Sequence, residues 1–348
     1  MKLLAICDPS TYKRRPLDVP TFYLQLAQDQ RTDFFHIPTP NVLQTPADSP
    51  YIQVASANEL LSYEEFLSLH EQVNIPLSLT ELDLVFCRTL KPFPPGYLKQ
   101  LQNWEKYVKF VNSPTGIEQQ IEPNFLVKVA ADYIPATIVT AEAAIAQTFF
   151  EQHQTIVAKQ GNSCGGRGVF KIEYRDRAFW LDHFSQGWQS FPDFVAVMQH
   201  LQRTPGEDII FMEYLSRVWA GDKRVVVVDG EIYGAYLRQS STGHWVNNVS
   251  AGGNATLAQV DRAEREAIAA TVDHYRRLGL HTLGYDFLQD SAGNWRISEI
   301  NAGNIGGFAW LELLTGKPVM MRLFDWFRDF AQRPQAAALA ASLLLKAS

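Results

Sequence analysis

Two stretches of this sequence carry residue types and spacings that can do chemistry. The first is Lys159 followed by Gly161-Asn162-Ser163-Cys164-Gly165-Gly166-Arg167-Gly168, four glycines in eight residues. Glycine lets the backbone curl so that successive N–H groups point at one anion. A lysine on the strand entering such a loop supplies a point charge for a phosphate. A strand pattern resumes at Val169, so the glycines join two strands. The loop is therefore not a Walker loop, which needs Gly-Lys-Ser/Thr, nor a Rossmann fingerprint, which needs a helix to follow. A hairpin loop with no ligand is the alternative. The second stretch is Asp286 with Glu299 and Asn301. A turn closed symmetrically over Ser291–Asn294 pairs Asp286 with Glu299, and Glu299 and Asn301, two apart on a strand, share a face. Opposed carboxylates repel unless something positive lies between them. Two carboxylates and an amide oxygen suit Mg²⁺, which takes hard oxygen ligands and completes its shell with water and phosphate. A solvated polar hairpin is the alternative, and the buried-type neighbours Leu283, Phe287, Ile297 and Ile300 weigh against it.

Two weaker signals accompany these. Gly221-Asp222-Lys223-Arg224 is a charged triplet at the mouth of the apolar run VVVV, and Asn247 to Gly253 is a loop of small residues able to approach a ligand closely. Either also reads as an ordinary solvated segment. The eight histidines show no metal-ligand spacing, and nothing near Cys164 suggests a nucleophilic triad.

These residues need elements to position them. Leu3–Cys7, Leu82–Cys87 and Tyr107–Val111 read as apolar strands, with helices over Thr21–Gln28 and Pro95–Lys106. Continuous apolar strands alternating with helices predict a doubly wound α/β domain over 1–118, its parallel sheet covered on both faces. Such a sheet binds ligands at the carboxyl ends of its strands. Residues 38–58, rich in Pro, Ser, Thr and Asn, read as a long surface loop. After about residue 120 the pattern becomes antiparallel sheet plus helices. Strands are expected at Ile156–Gln160, Val169–Glu173 and Ile209–Leu215. Arg224–Asp229 and Glu231–Arg238 form a hairpin about Asp229-Gly230, a strong turn dipeptide. Asp261–Leu278 reads as an amphipathic helix, and Leu283–Gln289 with Trp295–Asn301 as the second hairpin.

Composition bounds the reading. A chain of 348 residues, 46% hydrophobic and 20% charged, can bury a sizeable core and is not a disordered chain. A net charge of −6 excludes a nucleic-acid binder of the basic-surface type. Cys7, Cys87 and Cys164 are too scattered for a disulfide framework or a thiolate zinc site. The apolar run Ala336–Leu345 falls short of the ~18 residues a membrane span requires. The expectation is a soluble cytoplasmic protein with no nucleic-acid or membrane partner.

In order and spacing these pieces resemble the ATP-grasp superfamily, most closely the prokaryotic-type glutathione synthetases. The resemblance rests on Cys7-Asp8-Pro9, on Phe86-Cys87-Arg88 before Lys91-Pro92-Phe93, and on Val111-Asn112-Ser113-Pro114. It continues through Lys128, Lys159 with its glycine loop, Met212-Glu213-Tyr214-Leu215, Gly221 to Val225, Val228-Asp229-Gly230, Asn248 to Gly253, and Asp286, Glu299 and Asn301. Only the last ~20–30 residues lie outside it.

The resemblance implies a fold and roles. An N-terminal pre-ATP-grasp domain over 1–118 would precede a two-subdomain ATP-grasp fold. Its central subdomain would be 119–205 with the glycine-rich lid, its C-terminal subdomain 206–330 with the metal site, and 331–348 a helical tail. Lys128 and Lys159 would contact the ATP phosphates, with Gly165, Gly166 and Gly168 in the lid over them. Met212, Glu213, Tyr214 and Leu215 would bind adenine, and Asp222 would lie near ribose or substrate. Asp286, Glu299 and Asn301 would hold Mg²⁺, with Mn²⁺ as a substitute, while Arg224 and Asn248 would face the reacting groups. The implied reaction activates a carboxylate with ATP as an acyl phosphate, which an amine then attacks. The partners would be a small carboxylate and a small amine, an amino acid or short peptide, and a homo-oligomer is compatible with the pattern. Two departures fall on the acceptor side. Val246 stands where glutathione synthetases carry an arginine, and Ala302 to Phe308 replaces their Ser-Pro-containing turn. A kinase acting on a small hydroxyl substrate and a non-catalytic nucleotide-binding module are the competing readings.

Overall fold

The structure, a computed structural model, describes residues 1–12, 18–240, 243–247 and 254–334. Leu3, Leu4, Ala5 and Ile6 are all buried, a pattern that suits a strand covered on both faces. They lie in β1 (Lys2–Ile6), within a sheet that also holds β2 (Asp33–Ile37), β3 (Tyr51–Ser56), β4 (Ile75–Ser78), β5 (Leu84–Cys87) and β6 (Phe110–Val111). The spatial order is β4-β3-β2-β1-β5-β6. Pairing is parallel from β2 to β6, as the apolar runs predict, and antiparallel at β2–β3 and β3–β4.

The antiparallel edge corrects the loop expected over 38–58. That stretch holds a helix over Thr39–Gln44, entered by prolines, and all of β3. Turn-type residues at the ends masked a short alternation in which Ile52 and Val54 point inward.

The second sheet contains β7 (Thr137–Thr140), β8 (Thr155–Lys159), β9 (Val169–Arg175), β10 (Ala178–His183), β11 (Gly187–Phe191) and β12 (Ile209–Glu213), in the order β11-β10-β9-β8-β12-β7. β8 and β9 pair antiparallel, so the glycine loop joins two strands, as the sequence indicates. The third sheet contains β13 (Asp222–Val228), β14 (Glu231–Gln239), β15 (Asn254–Ala258), β16 (Thr282–Gln289) and β17 (Trp295–Asn301), in the order β15-β14-β13-β16-β17. Asp229 and Gly230 both take positive φ, 51° and 89°, the turn that joins β13 to β14 with matching twist. The helix Arg262–Arg277 is closed at its start by a capping box between Asp261 and Glu264. The expected tail helix over 331–348 lies, from residue 335 onward, outside the described residues.

The sheets are not separate bodies. One core cluster joins Leu3, Phe22 and Phe86 of the first unit to Val226 and Tyr236 of the third sheet, through Phe308 and Leu311 of the helix Phe308–Thr315 and Phe324 and Phe327 of the helix Val319–Gln332. Asn112, buried just after β6, fastens the same junction. Its Nδ2 donates to the carbonyls of Thr282 (2.8 Å) and Ala302 (2.6 Å), and its Oδ1 accepts from the N–H groups of His281 (2.7 Å) and Thr282 (2.8 Å).

His36 on β2 is buried beside Tyr23, whose hydroxyl lies 2.9 Å from Nδ1. Burial, with a smaller contribution from His70, pulls its pKa down to about 3. The unfolded chain binds this proton near pH 6.5 and the folded chain does not, so His36 contributes stability above pH 6.5 that is lost as pH falls toward 3. His36→Gln should flatten the decline in stability across that window by about 1.4 kcal/mol per pH unit, read from urea unfolding at stepped pH.

Candidate active site

The third sheet brings its charged residues to one face by strand alternation. β13 sits between β14 and β16, and its register places Asp222 opposite Arg238 and Arg224 opposite Asp286. β16 pairs with β17 so that Asp286 faces Glu299 and Gly284 faces Asn301, before a bulge after Asp286. The expected Asp286–Glu299 pair is present, although the turn closes one residue out of the symmetric register, with Gln289 facing Trp295, and the bulge restores it.

The positive charge that opposed carboxylates demand is also present. Arg224 grips Asp286 with Nε and Nη2, the latter at 2.8 Å, and Arg238 adds Nη2 at 2.8 Å. Asn301 Nδ2 donates to the same carboxylate at 3.1 Å. Burial alone would raise the Asp286 pKa, but the two guanidiniums outweigh it and hold the carboxyl below its ordinary value. Asp222 accepts from Arg238 at 2.5 Å, and its Oδ1 is buried with no partner. Here burial prevails, because Arg238 is shared with Asp286, and the Asp222 pKa is pushed up to about 6.

Lys159 arrives from the other sheet. Its Nζ donates to the carbonyl of Ser298, the bulged residue of β17 next to Glu299, at 2.6 Å. Burial lowers its pKa, while Glu299, Asp286 and Asp222 act in the opposite sense. The cleft between the sheets thus collects Lys159, Arg224 and Arg238 against Asp222, Asp286 and Glu299.

The glycine loop follows Lys159 out of β8 and is tied to the first unit. Gly165 and Gly166 adopt φ of 68° and 80°, where a side chain would be strained. A Cβ on Gly166 would also sit 3.1 Å from Val246 Cγ1, and one on Gly168 would collide with Ser163. Cys164 Sγ and Arg167 Nη2 both reach the Lys91 carbonyl at 2.9 Å, and Asn162 Oδ1 accepts from the Phe93 N–H at 3.1 Å. Met212 and Glu213 end β12, and Tyr214 and Leu215 follow. Tyr214 N–H is taken by the Thr155 carbonyl, and the Leu215 N–H has no protein partner among the described residues.

Not every expected residue joins the group. Lys128 is exposed on the helix Phe125–Ala130, which packs against β17, and makes no side-chain bond to the cleft carboxylates. Asn248, with the rest of 248–253, lies outside the described residues. Arg238 is the cleft residue that sequence reasoning left without a role in the charge network. Its signal was the hairpin about Asp229-Gly230, which brings it opposite Asp222.

The donor set fits a hard divalent cation. Among the described residues no three acidic, histidine or cysteine side chains converge as a metal cage. Two carboxylates and the Asn301 amide oxygen are hard donors, and Glu299 is exposed, its side chain unbonded among the described residues. Such a partial shell leaves positions for phosphate oxygens.

A lysine and glycine loop on one sheet facing a carboxylate pair on another form the two jaws of an ATP-grasp clamp. The comparisons agree on this class. The prokaryotic glutathione synthetase ATP-grasp domain matches residues 124–315. The glutathione synthetase of Brucella melitensis is 27% identical over 312 residues, 88% of this chain and 91% of that protein. The enzyme of the same name from Prochlorococcus marinus is 24% identical over 93% of this chain and 98% of its own. The D-cycloserine synthetase DcsG superposes with a TM-score of 0.62 at 13% identity, over 93% of this chain and 99% of that one. A Chryseobacterium gregarium RiPP-associated ATP-grasp ligase, in complex with ADP and a leader and core peptide, gives 0.60 at 15% identity over 95% and 98%. The chain belongs to the prokaryotic glutathione synthetase family of ATP-grasp proteins. It is an ATP-dependent carboxylate–amine ligase.

Removing the Asp286 charge leaves two buried guanidiniums short of a counter-ion. Asp286→Asn should destabilise the nucleotide-free chain by about 3–5 kcal/mol. Asp286→Asn with Arg224→Met should lose less than the two single changes added together, as a denaturant double-mutant cycle would record.

Proposed function

We propose that this chain activates the carboxylate of an amino acid or short peptide with ATP and passes the acyl group to an amine. The observation that carries this is Lys159 of one sheet lying against the strand of Glu299 and Asn301 on the other. In this reading Lys159, with Lys128, binds ATP phosphates, and the glycine loop covers them with backbone N–H groups. The base lies along Met212 to Leu215, where the free Leu215 N–H meets a ring nitrogen. Asp286, Glu299 and Asn301 would hold Mg²⁺, or Mn²⁺ as another hard-oxygen cation, which would supply positive charge against the phosphate oxygens.

The chain's own residues then do three things. Lys159 draws electron density from the γ-phosphoryl oxygens as the substrate carboxylate attacks phosphorus and ADP leaves. Arg224, held by Asp286 in a fixed fork, keeps a cation beside the acyl phosphate while the amine attacks its carbonyl carbon and phosphate departs; Asn248 is assigned to the same step. The closed glycine loop keeps water from the acyl phosphate. Asp222, short of one hydrogen bond, faces the ribose or substrate side.

Val246 lies beside Gly166, an apolar residue where the resemblance places an arginine, so the carboxylate and amine are chosen by assay rather than taken to be those of glutathione synthesis. The three thiols are free, with those of Cys7 and Cys87 pushed up to about 12 by burial, which suits a reducing cytoplasm.

An ADP-release screen of amino acids and short peptides in pairs, γ-glutamylcysteine with glycine among them, tests the reading. ADP release that requires both a carboxylate and an amine, with an amide product, is expected. A stable phosphorylated product would instead establish the kinase, and Asp286→Asn and Lys159→Ala variants with undiminished turnover would overturn the assignment of the cleft.

A further inference from the structure

The cleft has an apolar part beside its charged one. Val157 lies two residues before Lys159 on β8, and Leu288 two after Asp286 on β16, so each shares the cleft face of its strand with a charged residue of the site. Val157, Val169 and Leu288 pack into one apolar cluster with Val218 and with Tyr214 of the Met212–Leu215 segment. A side chain fills this slot. Trp245 belongs to the same cluster and is 7% exposed. Its indole meets the Tyr214 ring edge-on, with centroids 6.2 Å apart. Its Nε1 donates to Asp182 Oδ2 at 2.8 Å, the partner a buried indole N–H requires. Asp182 on β10 stands opposite Lys171 of β9, and Lys171 stands opposite Val157 of β8. The indole therefore spans the cleft face from β8 to β10.

The neighbours of Trp245 fasten it in place. Asn247 Nδ2 donates to the Val218 carbonyl at 2.7 Å, and its Oδ1 accepts from the Ser240 N–H at 3.0 Å. His244 Nδ1 accepts from the Val246 N–H at 3.1 Å, and its Nε2 lies 3.5 Å from the Asp182 carboxylate. The short segment 244–247 is thus seated on the wall of the slot by both strand and loop.

An indole and a purine share a fused five- and six-membered frame, so a slot that holds one has the width and flatness to hold the other. They differ in hydrogen bonding. The indole has one N–H donor and no acceptor, whereas a purine carries ring nitrogens that accept. The Leu215 N–H beside the slot has no protein partner among the described residues. Trp245 matches a base in apolar area and cannot make the bond that the base can make.

We propose that Trp245 and the adenine of ATP compete for one slot, so that nucleotide binding turns the indole out of it. The inference rests on the nucleotide site of the ligase reading and adds an internal competitor to it. Such a competitor weakens the apparent affinity by the fraction of molecules in which the slot is open.

The test uses the full-length chain. Calorimetry should find Mg²⁺–ADP bound roughly fivefold or more tightly by Trp245→Ala than by the unaltered chain. Trp245→Phe, which keeps a ring but not the bond to Asp182, should fall between the two. Affinity for Mg²⁺–tripolyphosphate, which has no base, should not rise. In the unaltered chain labelled with 5-fluorotryptophan, the Trp245 fluorine resonance is assigned by its loss in Trp245→Phe. It should move from a buried to a solvent-exposed position as Mg²⁺–ADP is added, and this spectrum decides alone if the alanine variant does not fold. Weaker Mg²⁺–ADP binding by Trp245→Ala would make the indole a support for the base, and unchanged binding would make it a structural residue. Either result, an equal gain for tripolyphosphate, or a fluorine resonance that stays buried would overturn the proposal and leave the ligase reading standing. No binding of Mg²⁺–ADP by the unaltered chain, with no ADP release from ATP, would instead remove the ligase reading, and this inference with it.

Discussion

The charge balance of the cleft turns on one buried carboxylate. Asp286 accepts from Arg224, Arg238 and Asn301 and faces Glu299 across the ladder. Each arginine is buried on the strength of that pairing, and each then fixes something further. Arg224 reaches Gly306, and Arg238 orients Asp222. Without the carboxylate, two desolvated guanidiniums would stand beside Lys159 with only Asp222 and Glu299 to answer them. A cation entering between Asp286 and Glu299 must share Asp286 with donors already in place. On the proposed reading, nucleotide binding would rearrange an existing ion network rather than fill an idle one.

The same economy appears at the borders between sheets. Asn112 uses both ends of its amide to tie the end of β6 to β16 and to the segment after Asn301. The glycine loop is moored to Lys91 and Phe93 of the first unit. The first unit thus holds the glycine loop through Lys91 and Phe93, while Arg88, just past β5, holds the Ile305 carbonyl.

Much of this was legible where the governing interactions are local. Turn chemistry at Asp229-Gly230 located the first hairpin, and the symmetric turn expected over Ser291–Asn294 found the Asp286–Glu299 pair only because a bulge offsets a turn that closes one residue out of that register, with Gln289 facing Trp295. The glycine loop announced itself by composition. What stayed hidden depends on distant parts of the chain. The Lys159–Ser298 bond joins residues 139 apart. The seating of Trp245 is visible only once Val157 and Asp182 are in place around it. β3 was lost because Pro, Ser and Thr at its ends outweighed a two-residue apolar alternation, and its neighbours on the sheet supply the rest of its stability. β10 and β11 went unnoticed because their aromatic residues read as generic core.

The shared core that runs from Leu3 and Phe22 to Phe324 and Phe327 has a consequence for synthesis. The first sheet leaves the ribosome roughly 190 residues ahead of the helices that cover this face. At about 5–20 residues per second, that face waits on the order of ten seconds or longer for its cover. During that interval Phe22 and Phe86 are covered only by other residues of the first unit, such as Phe34 and Phe66, and their outer face stays open. The N-terminal third is thus the part of the nascent chain most in need of a chaperone, although its strands are the first to be complete.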